Sequence, residues 1–324
     1  MKAALCNALD GPASIVIADA AEPGAGAGQI LVRVKAVGLN FADTLIVRGK
    51  YQLKPELPFS PGMEIAGIVE ALGAGVSGPP PGTRVMAYTS YGGAREKVAV
   101  AAGMVLALPD GVADNIAAGL IVTYGTAMHG LRDRGRLVAG ETIVVTGAAG
   151  GAGQAAIELS KLIGARVIAV ASSPEKLSVA KTAGADDGIL FPGSDLKDAV
   201  RALTDGEGAG VVYDCVGGEA SEPLIRALAW KGRFLVVGFA SGEIAQIPLN
   251  LLLLRGAEVA GVFWGESVRR DAPAYRRNME ELLGWVAAGK LKPQIAATYP
   301  LDQIVEALSL LEQRRATGKV VLTL

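Results

Sequence analysis

A strand, a glycine-rich loop and a helix follow one another between positions 142 and 163. Residues 142–145 form a short apolar segment typical of a buried strand, and residues 154–163 place apolar side chains at helical spacing. The loop 147–153 between them holds four glycines. Glycines let a backbone approach a pyrophosphate closely, and a helix N-terminus offers unpaired N–H groups. The pattern therefore predicts a dinucleotide site, with a plain tight turn as the alternative.

The residues after the next predicted strand, 167–170, bear on the choice of cofactor. An acidic side chain at this place accepts a hydrogen bond from the ribose 2′-hydroxyl of NAD. This chain has Ser172, Ser173 and Lys176 there, which are donors or carry positive charge, together with Glu175. We therefore predict that these residues bind the 2′-phosphate of the cofactor, and that the protein prefers NADPH to NADH. The alternative is that the two serines and Pro174 only cap the following helix.

The pattern of strands and helices changes along the chain and indicates two domains. The first ~110 residues contain short strands separated by turns, which is typical of a compact β barrel or sandwich. From position 141 short apolar strands alternate with helices, which indicates an α/β domain with a parallel sheet. Two amphipathic helices, 274–288 and 301–315, and a last strand, 319–322, complete the chain.

Charge and hydropathy exclude several classes of protein. The chain has 324 residues, and its 31 Lys and Arg against 32 Asp and Glu give a net charge of −1. Such a balance offers no bulk attraction to nucleic acid or to anionic membranes. No run reaches the ~18 apolar residues of a membrane span. We recognise no signal peptide and expect a cytoplasmic protein.

Two cysteines and one histidine limit the chemistry of the side chains. Cys6 and Cys215 do not imply a disulfide framework, and with His129 they lack the spacing of zinc ligands. His129 lies in an apolar stretch, where we expect a satisfied helix histidine rather than a catalytic one. We therefore predict no metal site and expect the chemistry to come from a bound cofactor.

Seven short motifs follow one another at characteristic spacing. They occupy residues 38–43, 61–67, 122–127, 146–153, 214–218, 238–242 and 316–320. With these motifs the chain resembles, nearly from end to end, the zinc-free medium-chain dehydrogenase/reductases, and most of all the NADPH:quinone oxidoreductase (zeta-crystallin-like) group. The resemblance implies an α/β protein with a GroES-like β-barrel catalytic domain and a Rossmann cofactor domain with a doubly wound parallel sheet. The GroES-like domain is expected to be discontinuous and to comprise residues 1–118 and 264–324. The Rossmann domain is expected to comprise residues 119–263.

The resemblance also bears on zinc. Zinc-dependent relatives have a cysteine where this chain has Asn40 and a histidine where it has Met63. Both ligands are absent, in agreement with the small number of cysteines and histidines. We therefore expect a reaction that does not use a metal ion as Lewis acid.

By the same resemblance, a set of residues is expected to bind NADP(H). The residues matched to the pyrophosphate are Gly150, Gly151, Ala152 and Gly153. Those matched to the adenosine phosphate and adenine are Ser172, Ser173, Lys176 and Phe191. Those matched to the ribose and nicotinamide are Asn40, Thr123, Val216, Gly217, Phe239, Phe263, Trp264 and, as a tail residue of the same region, Lys319. For Phe263 and Trp264 the alternatives are a hydrophobic strand end or a dimer contact.

The expected reaction is hydride transfer from NADPH to a quinone or a similar electron-poor carbonyl compound. The oxyanion that develops needs a hydrogen-bond donor. The resemblance matches Tyr51 to an active-site tyrosine, and Asn40 and a bound water are the other candidates. Tyr51 as a loop anchor and Asn40 as a turn residue before a helix over 41–47 are the alternatives.

Two other functions and one assembly are compatible with these residues. In the first alternative, NADPH transfers its hydride to the C=C bond of an enal or an enoyl thioester instead of to a quinone. A non-enzymatic NADPH-binding protein would have the same loop. We also expect the last strands of the Rossmann domain, 234–237 and 259–263, to join two chains in a homodimer, because an apolar edge strand needs cover.

Overall fold

The computed structural model describes all 324 residues of the chain. The strands are β1 Lys2–Cys6, β2 Ile15–Asp19, β3 Gln29–Leu39, β4 Glu64–Leu72, β5 Arg84–Tyr88, β6 Lys97–Ala101, β7 Val105–Ala107, β8 Thr142–Thr146, β9 Arg166–Ala171, β10 Asp187–Leu190, β11 Ala209–Asp214, β12 Leu228–Val236, β13 Glu258–Gly261, β14 Ile295–Pro300 and β15 Lys319–Thr323. The helices are α1 Phe41–Ile46, α2 Asp114–Ala118, α3 Ile121–Met128, α4 Gly151–Ile163, α5 Pro174–Thr182, α6 Leu196–Leu203, α7 Ser221–Arg226, α8 Asn250–Arg255, α9 Trp264–Arg270, α10 Ala272–Ala287 and α11 Ile304–Glu312.

The chain divides into two compact units. The first consists of Met1–Val122 together with Ser267–Leu324, and the second consists of Thr123–Glu266. The first unit is discontinuous because β14, α11 and β15 belong to it although they follow the whole second unit in sequence. We call them the catalytic unit and the Rossmann unit.

The catalytic unit is built on a seven-stranded sheet. The strand order is β14-β15-β3-β4-β5-β7, and β6 pairs with β3. In β3 the side chains of Ile30, Val32 and Val34 are buried while Arg33 is exposed, so the alternation in the sequence sets which face packs inward. The pairs that β3 forms with β4, β6 and β15 are all antiparallel. The predicted GroES-like β domain is confirmed.

The Rossmann unit contains a six-stranded parallel sheet. Its order, β10-β9-β8-β11-β12-β13, places the first strand β8 in the middle. The chain runs outward from β8 to β10 and then returns to begin the other half at β11. This reversal is the topological switch point at which doubly wound sheets bind their ligands. Fully buried side chains such as Val144, Ile168 and Val212 explain why these strands read as continuous apolar runs.

One helix changes type along its length. α3 begins at Ile121 and continues directly into a π-helix, His129–Arg134. The nitrogen Nδ1 of His129 lies 2.7 Å from a carboxylate oxygen of Asp133, one turn further on. Cys6 and Cys215 are both free. No helix combines the length and the apolar character that crossing a membrane requires.

Candidate active site

Six polar side chains are buried in the catalytic unit, and four of them carry a charge or an amide group. Asp43 and Glu64 are 0% exposed, Lys319 is 5% exposed and Asn40 is 7% exposed. The sheet register brings three of them together. Glu64 begins β4, Lys319 begins β15, and Asn40 follows the last residue of β3. Because β3 is antiparallel to both neighbours, these positions lie at one edge of the sheet.

The side chains of Asn40, Glu64 and Lys319 form a closed set of contacts, which we call the amide clamp. The ammonium of Lys319 donates a hydrogen bond of 2.6 Å to Oδ1 of Asn40 and forms an ion pair with Glu64. The Nδ2 atom of Asn40 donates to Oε1 of Glu64 at 2.9 Å. The other carboxylate oxygen of Glu64 accepts from the backbone N–H of Val122 at 2.9 Å. Each buried charge therefore has a partner of opposite sign and further hydrogen bonds.

Two glycines provide the space for the amide clamp. A Cβ atom on Gly38 would lie 2.8 Å from Cγ of Glu64 and 2.0 Å from the carbonyl oxygen of Ala118. A Cβ atom on Gly119 would lie 2.9 Å from Cγ of Lys319. Neither glycine has a positive φ, so close packing rather than backbone conformation requires the missing side chain.

Asp43 connects the backbone on both sides of the amide clamp. Its carboxylate accepts hydrogen bonds from the N–H of Asn40 at 2.8 Å and from the N–H of Gly62 at 2.9 Å. Burial raises the pKa of this carboxyl from 3.8 to about 6, although the two N–H donors and Lys319 act in the opposite direction. The segment that starts α1 is thereby fixed to the segment that leads into β4.

Two tyrosines lie close to these carboxyl groups. Burial raises the pKa of Tyr51 to about 12, and the charge of Asp43 and the proximity of Tyr88 add to the effect. Burial likewise raises the pKa of Tyr88, which hydrogen-bonds to Ser90. Both hydroxyls are therefore protonated at neutral pH and can donate a hydrogen bond.

The glycine loop of the Rossmann unit has the geometry that the sequence predicts. The loop connects β8 to α4. Its Gly150 is the N-cap residue of α4, and because glycine has no side chain, the first N–H groups of the helix are not capped by one. A Cβ atom on Gly153 would lie 2.3 Å from the carbonyl oxygen of Gly147. The absence of side chains thus lets the helix start directly against the loop. The N–H groups of the first turn have no acceptor within the helix.

A buried carboxylate organises the neighbouring strand end. Asp214, 2% exposed, accepts a hydrogen bond of 2.6 Å from the hydroxyl of Thr146 and one of 2.9 Å from Ser221. It also accepts from the backbone N–H groups of Val216 and Gly217, at 3.0 and 3.1 Å. The ends of β8 and β11, which flank the switch point, are therefore held together by one side chain.

The three residues predicted to hold the adenosine phosphate come together after β9. The hydroxyl of Ser173 accepts a hydrogen bond of 3.3 Å from the N–H of Lys176 and so caps α5. The ammonium of Lys176 lies 3.1 Å from the hydroxyl of Ser172. Ser173 thus serves as the helix cap, which both interpretations allow, and the side chains of Ser172 and Lys176 lie side by side. Glu175 is in the same turn and exposed.

The predicted aromatic residues have different environments. Phe191 packs against the core of the Rossmann unit. Phe239 and Phe263 are 40% and 50% exposed, and Phe239 lies beside Gly217, where a Cβ atom would be 3.0 Å from its ring. Trp264 is only 6% exposed, and its ring lies against Gly125 of α3. Trp264 is the first residue of helix α9, so it is not the strand end that one alternative expected. Thr123, in the same helix, is buried.

No role was predicted from the sequence for Asp43, Glu64, Tyr88 and Asp214. Glu64 could have been noticed, because an acidic residue next to the apolar run 65–66 in a buried strand is unusual. The partners of Glu64 could not be found in this way, because they lie 24 and 255 residues away. No group of three or more His, Cys, Asp or Glu side chains is arranged to hold a metal ion.

Comparison with known proteins identifies the class. Residues 26–110 match the family model described as alcohol dehydrogenase GroES-like domain, and residues 151–286 match the one described as zinc-binding dehydrogenase. A GroES-like domain combined with a dinucleotide-type parallel sheet defines an oxidoreductase of the medium-chain dehydrogenase/reductase type.

Relatives and solved structures narrow this class. The chain is 40% identical to a quinone oxidoreductase-like protein 2 homolog of Nematostella vectensis, over 99% of this chain and 88% of that protein. It is 35% identical to a quinone oxidoreductase of Pseudomonas aeruginosa, over 93% and 92% of the two chains. The crystal structure of Escherichia coli quinone oxidoreductase complexed with NADPH superimposes with a TM-score of 0.94 at 27% identity and covers 100% of both chains. The chain therefore belongs to the quinone oxidoreductase-like branch of the medium-chain dehydrogenase/reductase family.

Proposed function

We propose that this protein uses NADPH to reduce a quinone or a similar electron-poor carbonyl compound, without zinc. The observation that carries the proposal is the pairing of a glycine cradle at a helix N-terminus with the adjacent set of Ser172, Ser173 and Lys176. NADPH bound there supplies a hydride from its nicotinamide. The family and the NADPH complex of the structurally similar Escherichia coli enzyme support this assignment.

The residues of the Rossmann unit fit the phosphates of NADPH. A pyrophosphate would accept hydrogen bonds from the N–H groups of Gly151, Ala152 and Gly153, and the helix dipole of α4 favours its negative charge. A 2′-phosphate would meet the hydroxyl of Ser172 and the ammonium of Lys176, which lie together in the structure. Charge-assisted bonds of this kind are the strong ones.

The polar groups of the catalytic unit fit the acceptor. We assign to Tyr51 the role of a donor toward the oxygen that becomes negative, because its hydroxyl stays protonated and no other side chain in the structure hydrogen-bonds to it. Asn40 keeps one N–H beyond the one that it donates to Glu64, and this is the second donor. Positioned donors of this kind stabilise developing charge without reorganisation.

The proposal of a zinc-free reaction rests on the chemistry of Asn40 and Met63. A carboxamide and a thioether replace the thiolate and imidazole that bind zinc in the zinc-dependent relatives. The amide of Asn40 is moreover engaged on both sides, by Lys319 and Glu64.

We also propose that the protein forms a homodimer through the β13 edge of the Rossmann unit. The expectation that residues 234–237 also form an edge is wrong, because β12 is paired on both sides, with β11 and β13. β13 is the outer strand of the sheet, and its Val259 is 43% exposed. The neighbouring helix α8 exposes Leu253 by 80% and Leu254 by 69%, and Leu249 before it is 77% exposed. Exposed apolar side chains and an outer strand both favour cover by a second chain.

A panel of acceptors tests the class of substrate. NADPH oxidation is followed at 340 nm with a benzoquinone, a naphthoquinone, a 2-alkenal and crotonyl-CoA. The proposal expects the quinones to give the highest kcat/KM. Higher values with the alkenal or the thioester would replace the quinone by an activated C=C bond. Tight NADPH binding without turnover of any compound would favour a binding protein.

A further inference from the structure

The amide clamp fixes one of the two orientations that a carboxamide can take. An ammonium can only donate hydrogen bonds, and an ionised carboxylate can only accept them. Lys319 contacts Oδ1 of Asn40, and Glu64 contacts Nδ2. Rotating the amide by half a turn would place the carbonyl against Glu64 and the NH2 group against Lys319. Both new contacts would be repulsive, so the orientation has no competitor.

The fixed orientation leaves a defined group for a ligand. An Asn amide has two N–H groups, and Asn40 uses one of them for Glu64. The second N–H has no partner within the protein. The backbone of Asn40 is held as well, because its N–H donates to Asp43 at 2.8 Å. Asn40 is thus restrained at the main chain and at both ends of its amide.

A gain in folding stability does not explain the amide clamp. Burying an ammonium and a carboxylate carries a desolvation penalty that their attraction only offsets, and a buried pair is often replaceable by apolar residues. Gly38 and Gly119 additionally leave space for these side chains, at positions where a Cβ atom would clash with them. A role in orientation explains why this interior is polar.

We infer that Lys319, together with Glu64, is a positioning residue that holds the amide of Asn40 in a single orientation for its role as a donor in the reaction. The inference rests on the proposed function, in which Asn40 is a donor in the reaction. It differs from the expectation that Lys319 itself binds the cofactor, because Lys319 acts through Asn40. The titratable groups facing the ammonium are Glu64 and, through its charge, Asp43.

The test uses the double variant Lys319→Met/Glu64→Gln, which removes both charges and leaves neither buried alone. We expect kcat to fall about tenfold to a hundredfold, as misorientation of a reacting group does. The Kd for NADPH, from its fluorescence, should change less than twofold. The same two substitutions in an Asn40→Ala background should have no further effect on kcat, because they act through the amide that is already absent.

Two results would overturn the inference. One is an unchanged kcat in the double variant. The other is an equal fall in kcat with and without Asn40, as a general structural role would give. Should the double variant lose its cooperative melting transition, Gly119→Ala replaces it. This variant keeps every polar group but moves Lys319, whose Cγ lies 2.9 Å from the added methyl, and kcat should again fall.

A spectroscopic measurement separates the inference from the proposed function. In 15N-labelled protein the side-chain NH2 of Asn40, assigned by its loss in Asn40→Asp, should give two resolved proton signals, one of them slow to exchange because it is bonded to Glu64. Lys319→Met/Glu64→Gln lacks the ammonium and the carboxylate that select the orientation of the amide, so the protection of this proton should be weaker in that variant. If the wild type shows this protected proton but no turnover, the proposed reductase function is refuted while the fixed orientation of the Asn40 amide is retained. Rapid exchange of both protons in the wild type would refute the clamp, whatever the activity.

Discussion

Lys319 and Asn40 are 279 residues apart in the sequence, yet Nζ of the one lies 2.6 Å from Oδ1 of the other. The contact exists because β15 returns to the catalytic unit after the whole Rossmann unit and pairs with β3. The last strand therefore contributes to the polar centre that the first hundred residues begin. Deleting it would open the sheet and also leave Glu64 without its counter-ion.

The titration of Asp43 should be visible in the stability of the protein. Its pKa is about 6 in the folded state and 3.8 as the ordinary value, so between these pH values the folded state binds the proton more tightly. The free energy of unfolding, relative to Asp43→Asn, should therefore decrease as the pH rises from about 4 to about 7, by up to about 3 kcal/mol. Urea unfolding at four or five pH values measures it. Parallel curves for the two proteins would contradict the assignment, and exposed Asp110→Asn is the control.

Gly153→Ala should damage both the fold and NADPH binding. The added Cβ would lie 2.3 Å from the carbonyl oxygen of Gly147, where backbone has to move. We expect a loss of about 1–3 kcal/mol in the free energy of unfolding. Gly150→Ala is the matched control for stability, because its Cβ would find only an ordinary contact of 3.4 Å and its φ is negative. An equal Tm for the wild type and Gly153→Ala would disprove the packing argument.

Lys176→Gln should change the choice of cofactor. Loss of the ammonium beside Ser172 removes a charge-assisted bond to a 2′-phosphate, so kcat/KM for NADPH should fall about tenfold or more while that for NADH stays the same. Ser172→Ala should act in the same direction. Lys181→Gln, in the last turn of α5, is the control on the same helix. If Lys176→Gln lowers the values for both cofactors equally, the residue does not select NADPH.

Tyr51→Phe should lower kcat without a change in NADPH affinity. The lost hydrogen bond is one to an oxygen that becomes negative, so we expect kcat to fall about tenfold to a hundredfold. Because the pKa of the hydroxyl is about 12, the ratio of wild-type to Tyr51→Phe activity should be constant between pH 6 and 9. An unchanged kcat would remove Tyr51 from the reaction and make it the loop anchor of the alternative interpretation.

Leu253→Glu should convert the proposed dimer into a monomer. Leu253 is 80% exposed in the single chain, so the substitution should not disturb the fold. Light scattering after gel filtration should show about twice the 33.1 kDa chain mass for the wild type and one chain mass for the variant. Val138→Glu, at an exposed apolar residue elsewhere in the Rossmann unit, should remain dimeric. A monomeric wild type at micromolar concentration would refute this assembly.

The sequence predicted what is local. The strand, loop and helix around Gly153 were predictable because glycine spacing and apolar periodicity act over a few residues. The π-helix His129–Arg134 was missed because its apolar spacing resembles that of an α-helix. The amide clamp was not predictable, since Glu64 and Lys319 acquire meaning only when β3 brings their strands together. Lys319 was noticed through family resemblance alone, and that resemblance did not indicate its partners.

Oxidation of NADPH by chelator-treated protein, with and without a quinone, tests the proposed function directly. We expect a loss of absorbance at 340 nm that depends on the quinone and is unaffected by the removal of metal ions. The value of kcat/KM should be at least about tenfold higher with NADPH than with NADH. A kcat/KM for NADH that equals or exceeds the value for NADPH would contradict the account, as would activity that returns only when zinc is added.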